Sequence, residues 1–147
     1  MDPVARAYRD PDDRELRALL GDARTVAVVG LSSRPDRASF EVAEYLQSKG
    51  YRIVPVNPNE TEVLGERAYA SLRDIPGEVK VDVVDVFRRS EETPSVARDA
   101  VAIGARALWM QEGIWNEQAY RIASEAGLDV VMGLCLKHTR KRLEGER

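Results

Sequence analysis

Gly30-Leu31-Ser32-Ser33-Arg34-Pro35-Asp36-Arg37 is the stretch whose residue types and spacing best suit chemistry with a ligand. It follows a short apolar run, Arg24-Thr25-Val26-Ala27-Val28-Val29, of the β-branched kind that fills a strand buried on both faces. One glycine and two hydroxyl residues then lead into a helical pattern from about Asp36 to Lys49. The first N–H groups of such a helix have no partner within it, and its dipole favours negative charge there. The chemistry expected at this turn is therefore anion binding, most often of a phosphate. Arg34, Arg37 and Arg88 are placed to add charge.

Candidates for covalent or acid–base chemistry are fewer. Cys135 and His138 lie three residues apart and invite comparison with a nucleophile pair. His138, however, falls in the basic stretch LKHTRKRLEGER and reads as a solvated residue, and Cys135 follows an apolar strand, where free cysteine is commonly buried. Asp82 and Asp85 sit three apart on a strand, so they face opposite sides and cannot act as a couple. Glu91-Glu92 reads as a solvated loop, Trp109 as core, and Trp115 as a lid or an oligomer contact. A single cysteine excludes an internal disulfide and a cysteine-based zinc cage. No catalytic residue and no metal ligand is expected.

The elements that must position these residues recur at regular intervals. Asp12 and Glu15 form a capping-box pattern for a first helix through Leu20. Strands read at Thr25–Val29, Tyr51–Val56, Val81–Phe87, Ala105–Met110 and Leu128–Met132, with helical patterns in the gaps, weakest between the second and third strands. Thr93-Pro94 reads as an N-cap followed by proline at the first helical position, and Asn116 as a second cap. This rhythm implies an α/β fold: a Rossmann-like, doubly wound sheet of about five parallel strands in a single domain over 12–136. Residues 1–11 read as a flexible tail, and 137–147 as a basic C-terminal tail or frayed helix. Ligands of such sheets bind outside the carboxyl ends of the strands. Gly30–Ser33, Asn57–Pro58, Phe87–Arg88 and Gln111–Gly113 therefore converge on one crevice.

Composition bounds the partners. The 147 residues suffice for one domain with a real core. A net charge of −3 argues against nucleic acid and membrane surfaces, which call for a basic excess. No apolar run is long enough to span a bilayer, and MDPVARAYRDPDD lacks the apolar core of a signal peptide. A cytoplasmic location is expected.

A dinucleotide is the first ligand to consider, and two features disfavour it. The turn has one glycine where G-x-G-x-x-G has three, and the second strand ends in Asn57-Pro58 rather than the acid that holds an NAD ribose. The segments VAVVGLS, SFEVAEYL, GYRIVPVNP, GERAYASLRDIP, VDVVDVFR, WMQEGI and VVMGLC, in that order, instead resemble the bacterial free-standing CoA-binding proteins. These are similar to the CoA-binding domain of the succinyl-CoA synthetase α subunit and of ADP-forming acyl-CoA synthetases. The resemblance implies coenzyme A as ligand, its phosphates wrapped by Gly30, Leu31, Ser32 and Ser33. It implies an adenosine contact at Val56, Asn57 and Pro58, and a ligand path along Asp85, Val86, Phe87 and Arg88. Gln111 joins them at the end of the fourth strand. The family's cysteine matches Cys135, which gives that thiol a role in lining the site or in a mixed disulfide with CoA. One departure is Glu60, where synthetase α subunits carry a lysine. The expected function is binding of CoA or acyl-CoA without catalysis. The rivals are an NAD(P)-dependent oxidoreductase and a CoA-sensing regulatory subunit, with a homodimer or a protein partner left open.

Overall fold

The computed structural model describes residues 8–146. Its centre is a five-stranded parallel sheet in the order β2-β1-β5-β6-β7. The strands are β1 (Thr25–Val29), β2 (Arg52–Val56), β5 (Val83–Val86), β6 (Ala107–Met110) and β7 (Asp129–Val131). Between β2 and β5 lies a two-residue-per-strand hairpin, β3 (Glu62–Val63) and β4 (Glu66–Arg67). Five α-helices are described: α1 (Asp13–Asp22), α2 (Ala38–Ser48), α3 (Thr93–Ala102), α4 (Glu117–Glu125) and α5 (Leu136–Leu143).

Side chains alternate across a strand, so each strand feeds two cores. Ala27, Val29, Val84, Val86, Leu108 and Met110 meet Ala97 and Ala100 of α3 and Ala119 and Ala123 of α4. On the opposite face Val26, Val28, Val83 and Trp109 meet Leu16 and Leu19 of α1, Val42 and Leu46 of α2, and Leu136 of α5. Helices thus cover both faces of a Rossmann-like doubly wound sheet, as the β-branched runs require. The strand order reverses between β1 and β5, the switch point at which ligands of such sheets bind.

The first helix carries its capping box: the Glu15 N–H donates to Asp12 Oδ1 at 2.8 Å, and the Asp12 N–H to Glu15 Oε1 at 3.2 Å. Asp82 and Asp85 are parted as expected. Asp82 Oδ2 accepts from the N–H groups of Arg24 and Thr25, at 2.8 and 2.9 Å, while Asp85 is wholly buried near the far end of β5. Trp109 is core, with Nε1 donating to the Leu134 carbonyl at 2.8 Å.

Four local expectations change. The segment after Leu136 is a docked helix rather than a tail, because Leu136 and Thr139 are buried and Leu143 packs on the core. Around the Tyr45 ring Arg140, Lys49 and Lys137 stack as cations, and the Tyr45 hydroxyl donates to Glu146 Oε2 at 2.9 Å. At the other terminus residues 1–7 lie outside the described residues, but Tyr8 is docked. Its ring meets Trp115 and Tyr120 edge-on at 5.2 and 5.0 Å, and its hydroxyl accepts from the Met132 N–H. Trp115 remains half exposed and holds this segment. Thr93 is the first residue of α3 rather than its cap. A 3-10 turn over Ser90–Glu92 precedes it, and the Thr93 hydroxyl donates to the Ser90 carbonyl at 2.6 Å.

The fourth change is the β3–β4 hairpin, in the gap between the second and third strands where the helical pattern is weakest. Leu64 and Gly65 both have positive φ, 54° and 78°, as its two-residue turn demands. The Asn57 N–H donates to the Tyr69 carbonyl and the Tyr69 N–H to the Pro55 carbonyl, so the excursion is anchored to β2 at both ends. It carries Glu60 back toward β1.

Candidate ligand-binding site

The turn after β1 is built on a glycine. Gly30 has φ +88°, and a Cβ there would lie 2.6 Å from the Phe87 carbonyl oxygen. Its N–H donates to the Val56 carbonyl at 2.7 Å, and the Phe87 N–H donates to the Val29 carbonyl at 2.8 Å. The ends of β1, β2 and β5 thus close on one point. Leu31 is wholly buried, its side chain packed in the core. Its carbonyl accepts from Asn57 Nδ2 at 3.0 Å, which braces the turn against the end of β2.

The next three N–H groups all donate to side-chain oxygens. Ser32 donates to Ser39 Oγ at 3.1 Å, Ser33 to Glu60 Oε2 at 2.8 Å, and Arg34 to Ser32 Oγ at 3.1 Å. A run of backbone donors converging on oxygen is the arrangement that holds anions. Glu60, the departure from the synthetase pattern, is itself bound to this turn, taking one of the donors that a phosphate would use.

Two cavities adjoin at this end of the sheet. One, of about 350 Å³, is lined by Gly30, Ser32, Arg34, Arg37, Ser39 and neighbours. The other, of about 510 Å³, runs past Val42, Phe87, Arg88, Gln111, Ile114 and Cys135. Ala38 and Phe87 line both, so a polar, cation-bearing chamber lies beside a larger one of mixed character. Arg34 pairs loosely with Asp36, at 3.5 Å between exposed side chains, a contact that water screens.

Below the larger cavity Gln111 Nε2 donates to Asp85 Oδ1 at 2.5 Å. Asp85 has no exposed surface, and its Oδ2 has no partner among the described residues. Burial pushes its carboxyl up to about 7, against the lowering effect of the Gln111 hydrogen bond. Cys135, half-buried on the cavity wall, has its thiol pushed up by burial. The N–H groups of Lys137 and His138 oppose that shift, and the charge of Asp85 adds to it. His138 is exposed on α5 and shares the cavity rim.

Of the residues expected at the site, Gly30, Ser32, Arg34, Arg37, Phe87, Arg88 and Gln111 line the two cavities. Leu31, Val56, Asp85 and Val86 are buried, Asn57 acts as the brace, and Ser33 and Pro58 are exposed beside the turn. Ser39 and Val42 were not anticipated as lining residues, although both lie in the first turns of the helix that follows the glycine. No His, Cys, Asp or Glu side chains cluster as a metal site needs, and no helix is long and apolar enough to cross a membrane, among the described residues.

Residues 24–141 match the model of a family described as a CoA binding domain. The chain is 44% identical over 129 residues to the uncharacterized protein YneT of Bacillus subtilis, covering 88% of this chain and 94% of that one. It is 41% identical over 67 residues to the α subunit of the ADP-forming acetate–CoA ligase II of Pyrococcus furiosus. That match takes in 45% of this chain and only 15% of the subunit. A hypothetical protein from Pyrococcus horikoshii, 36% identical, superposes with a TM-score of 0.89 over 94% of this chain and 98% of its own.

Two outcomes follow from this geometry. Gly30→Ala combines a left-handed φ with a clash against backbone, so it should destabilise the fold by about 2–4 kcal/mol in urea unfolding. An unchanged midpoint would mean that the strand ends do not meet as described.

Asp85 sets a pH dependence. The folded carboxyl holds its proton up to about 7, whereas an unfolded aspartate releases it near pH 3.9. Between those values the folded state binds more protons, so stability falls as pH rises, by up to about 1.4 kcal/mol per unit. The contribution is fully present below about pH 4 and gone above about pH 7. Asp85→Asn should remove this slope, so the stability of the wild type relative to Asp85→Asn should drop across the window. A difference that stays constant with pH would contradict the assignment.

Proposed function

The chain belongs to the CoA binding domain family, and we propose that it binds CoA or an acyl-CoA at the carboxyl ends of its strands without turning it over. The observation that carries this reading is that the two cavities adjoin, with Ala38 and Phe87 lining both. An anionic head at the Gly30–Ser33 turn, near Arg34 and Arg37, leaves a direct route for a long arm past Phe87 toward Gln111 and Cys135. Coenzyme A has that shape and chemistry, with phosphates at one end and an amide-bearing thiol arm at the other. The donor set fits the group: the successive backbone N–H groups of Ser32 and Ser33 are already oriented on oxygen, beside a chamber lined by Gly30, Arg34 and Arg37.

Binding without turnover is favoured by the side chains along this route. A thiol pushed up by burial carries little thiolate at neutral pH, so Cys135 is a weak nucleophile. Asp85 is enclosed against Gln111, out of contact with anything in the cavity.

Calorimetric titration with CoA, NAD and NADP tests the reading. CoA should bind more tightly than either dinucleotide, and acetyl-CoA incubated with the protein should release no thiol above the blank. Tighter binding of a dinucleotide, or protein-proportional thiol release, would contradict it. Glu60→Gln should strengthen CoA binding by about two- to fivefold, because removing an exposed charge that competes with phosphate relieves under about 1 kcal/mol. Weaker binding by that variant would instead make Glu60 a ligand contact.

A further inference from the structure

The Asp85–Gln111 pair has no role in folding that would repay its cost. A carboxyl with no exposed surface and one unpartnered oxygen is unfavourable in a core. A valine at that register position would match Val83 and pack among Val28 and Trp109, its cross-strand neighbours. Such groups, kept against their cost beside a cavity, are a mark of functional sites. What Asp85 does in the structure is hold one atom: its Oδ1 takes the Gln111 Nε2 hydrogen at 2.5 Å. Gln111 in turn lines the larger cavity. A side-chain amide has one donor end and one acceptor end, and an ionised carboxylate can face only the donor end. With Nε2 committed to Asp85, the atom left for a ligand is the acceptor, Oε1.

We propose that Gln111 is a specificity-determining contact of the larger cavity, reading an amide N–H of the ligand's pantetheine arm through Oε1. Asp85 is the positioning residue that fixes its orientation. The inference rests on the CoA reading above and adds to it the part of the ligand that is recognised by hydrogen bonding. It separates CoA from ligands that share its phosphates and adenosine but lack the amide arm.

The test compares CoA with adenosine 3′,5′-bisphosphate, which has no arm, at about pH 8, where Asp85 is ionised. Gln111→Leu and Asp85→Val should each weaken CoA by about three- to tenfold, the worth of one net hydrogen bond. Both should leave the affinity for the bisphosphate unchanged. Asp85→Asn keeps an oxygen acceptor and should stay within about twofold of wild type. Asp85→Val should also raise the urea midpoint while it weakens CoA, two opposite signs that a purely structural role cannot produce. Equal weakening of CoA and the bisphosphate, or normal CoA binding by Gln111→Leu, would overturn the inference alone. A wild-type protein that binds neither ligand would overturn the CoA reading and this inference with it.

Discussion

The β1–α2 turn takes its form from the Phe87 carbonyl oxygen, which lies where a Cβ on residue 30 would be and so restricts that position to glycine. The same residue gives its N–H to the Val56 carbonyl, while the Phe87 N–H goes to the Val29 carbonyl. Three strand ends are therefore drawn together at Gly30. Everything at the site hangs on this junction. It sets where the chain leaves β1, which N–H groups turn outward, and how near Phe87 stands to the start of α2. Because Phe87 lines both cavities, the residue that shapes the turn also borders the two chambers.

A second layer of polar contacts occupies the backbone donors of the junction. Side-chain oxygens of Ser39, Glu60 and Ser32 satisfy the donors of Ser32, Ser33 and Arg34 in the free protein. Unpaired donors would cost stability; donors held by exchangeable side chains cost little and remain available. Glu60 is the informative member, since a carboxylate seated on the turn shows that the turn accepts negative charge. On the proposed reading, a phosphate would have to displace Glu60 from the Ser33 N–H. Below the larger cavity the opposite choice is made, where Asp85 is enclosed and its partner Gln111 is tied down.

Much of this was legible in the residues, and the rest fails for identifiable reasons. The five apolar runs, β-branched in all but Ala105–Met110, announced the parallel sheet because each must be buried on both faces. Gly30 before two hydroxyl residues announced the turn. The hairpin at Glu62–Arg67 was illegible because its strands have two residues each and its turn puts Leu64, a poor residue for positive φ, at 54°. Hence Glu60 could be assigned a sign but not a partner. The docking of α5 was masked by charge: LKHTRKRLEGER reads as solvated, yet Leu136, Thr139 and Leu143 share one face and Arg140 lies against the Tyr45 and Tyr51 rings. Tyr8 was missed because its partners, Trp115, Tyr120 and the Met132 N–H, are over a hundred residues away. The resemblance implies ligand contacts at Leu31, Val56 and Val86, and the structure buries all three residues at the strand ends.

The central claim is that one connected surface at the carboxyl ends of β1, β5 and β6 receives a CoA-type ligand. An amide-resolved NMR titration of the labelled protein with CoA tests it most directly. The predicted result is a set of shifts at Gly30, Ser32 and Ser33 together with Phe87 and Gln111, on one saturation curve. The amides of Gly21, Arg24 and Gly50, around the basic cavity at the opposite end of the sheet, should stay still. Shifts confined to that opposite end, or an unmoved Gly30–Ser33 turn at saturation, would contradict the account.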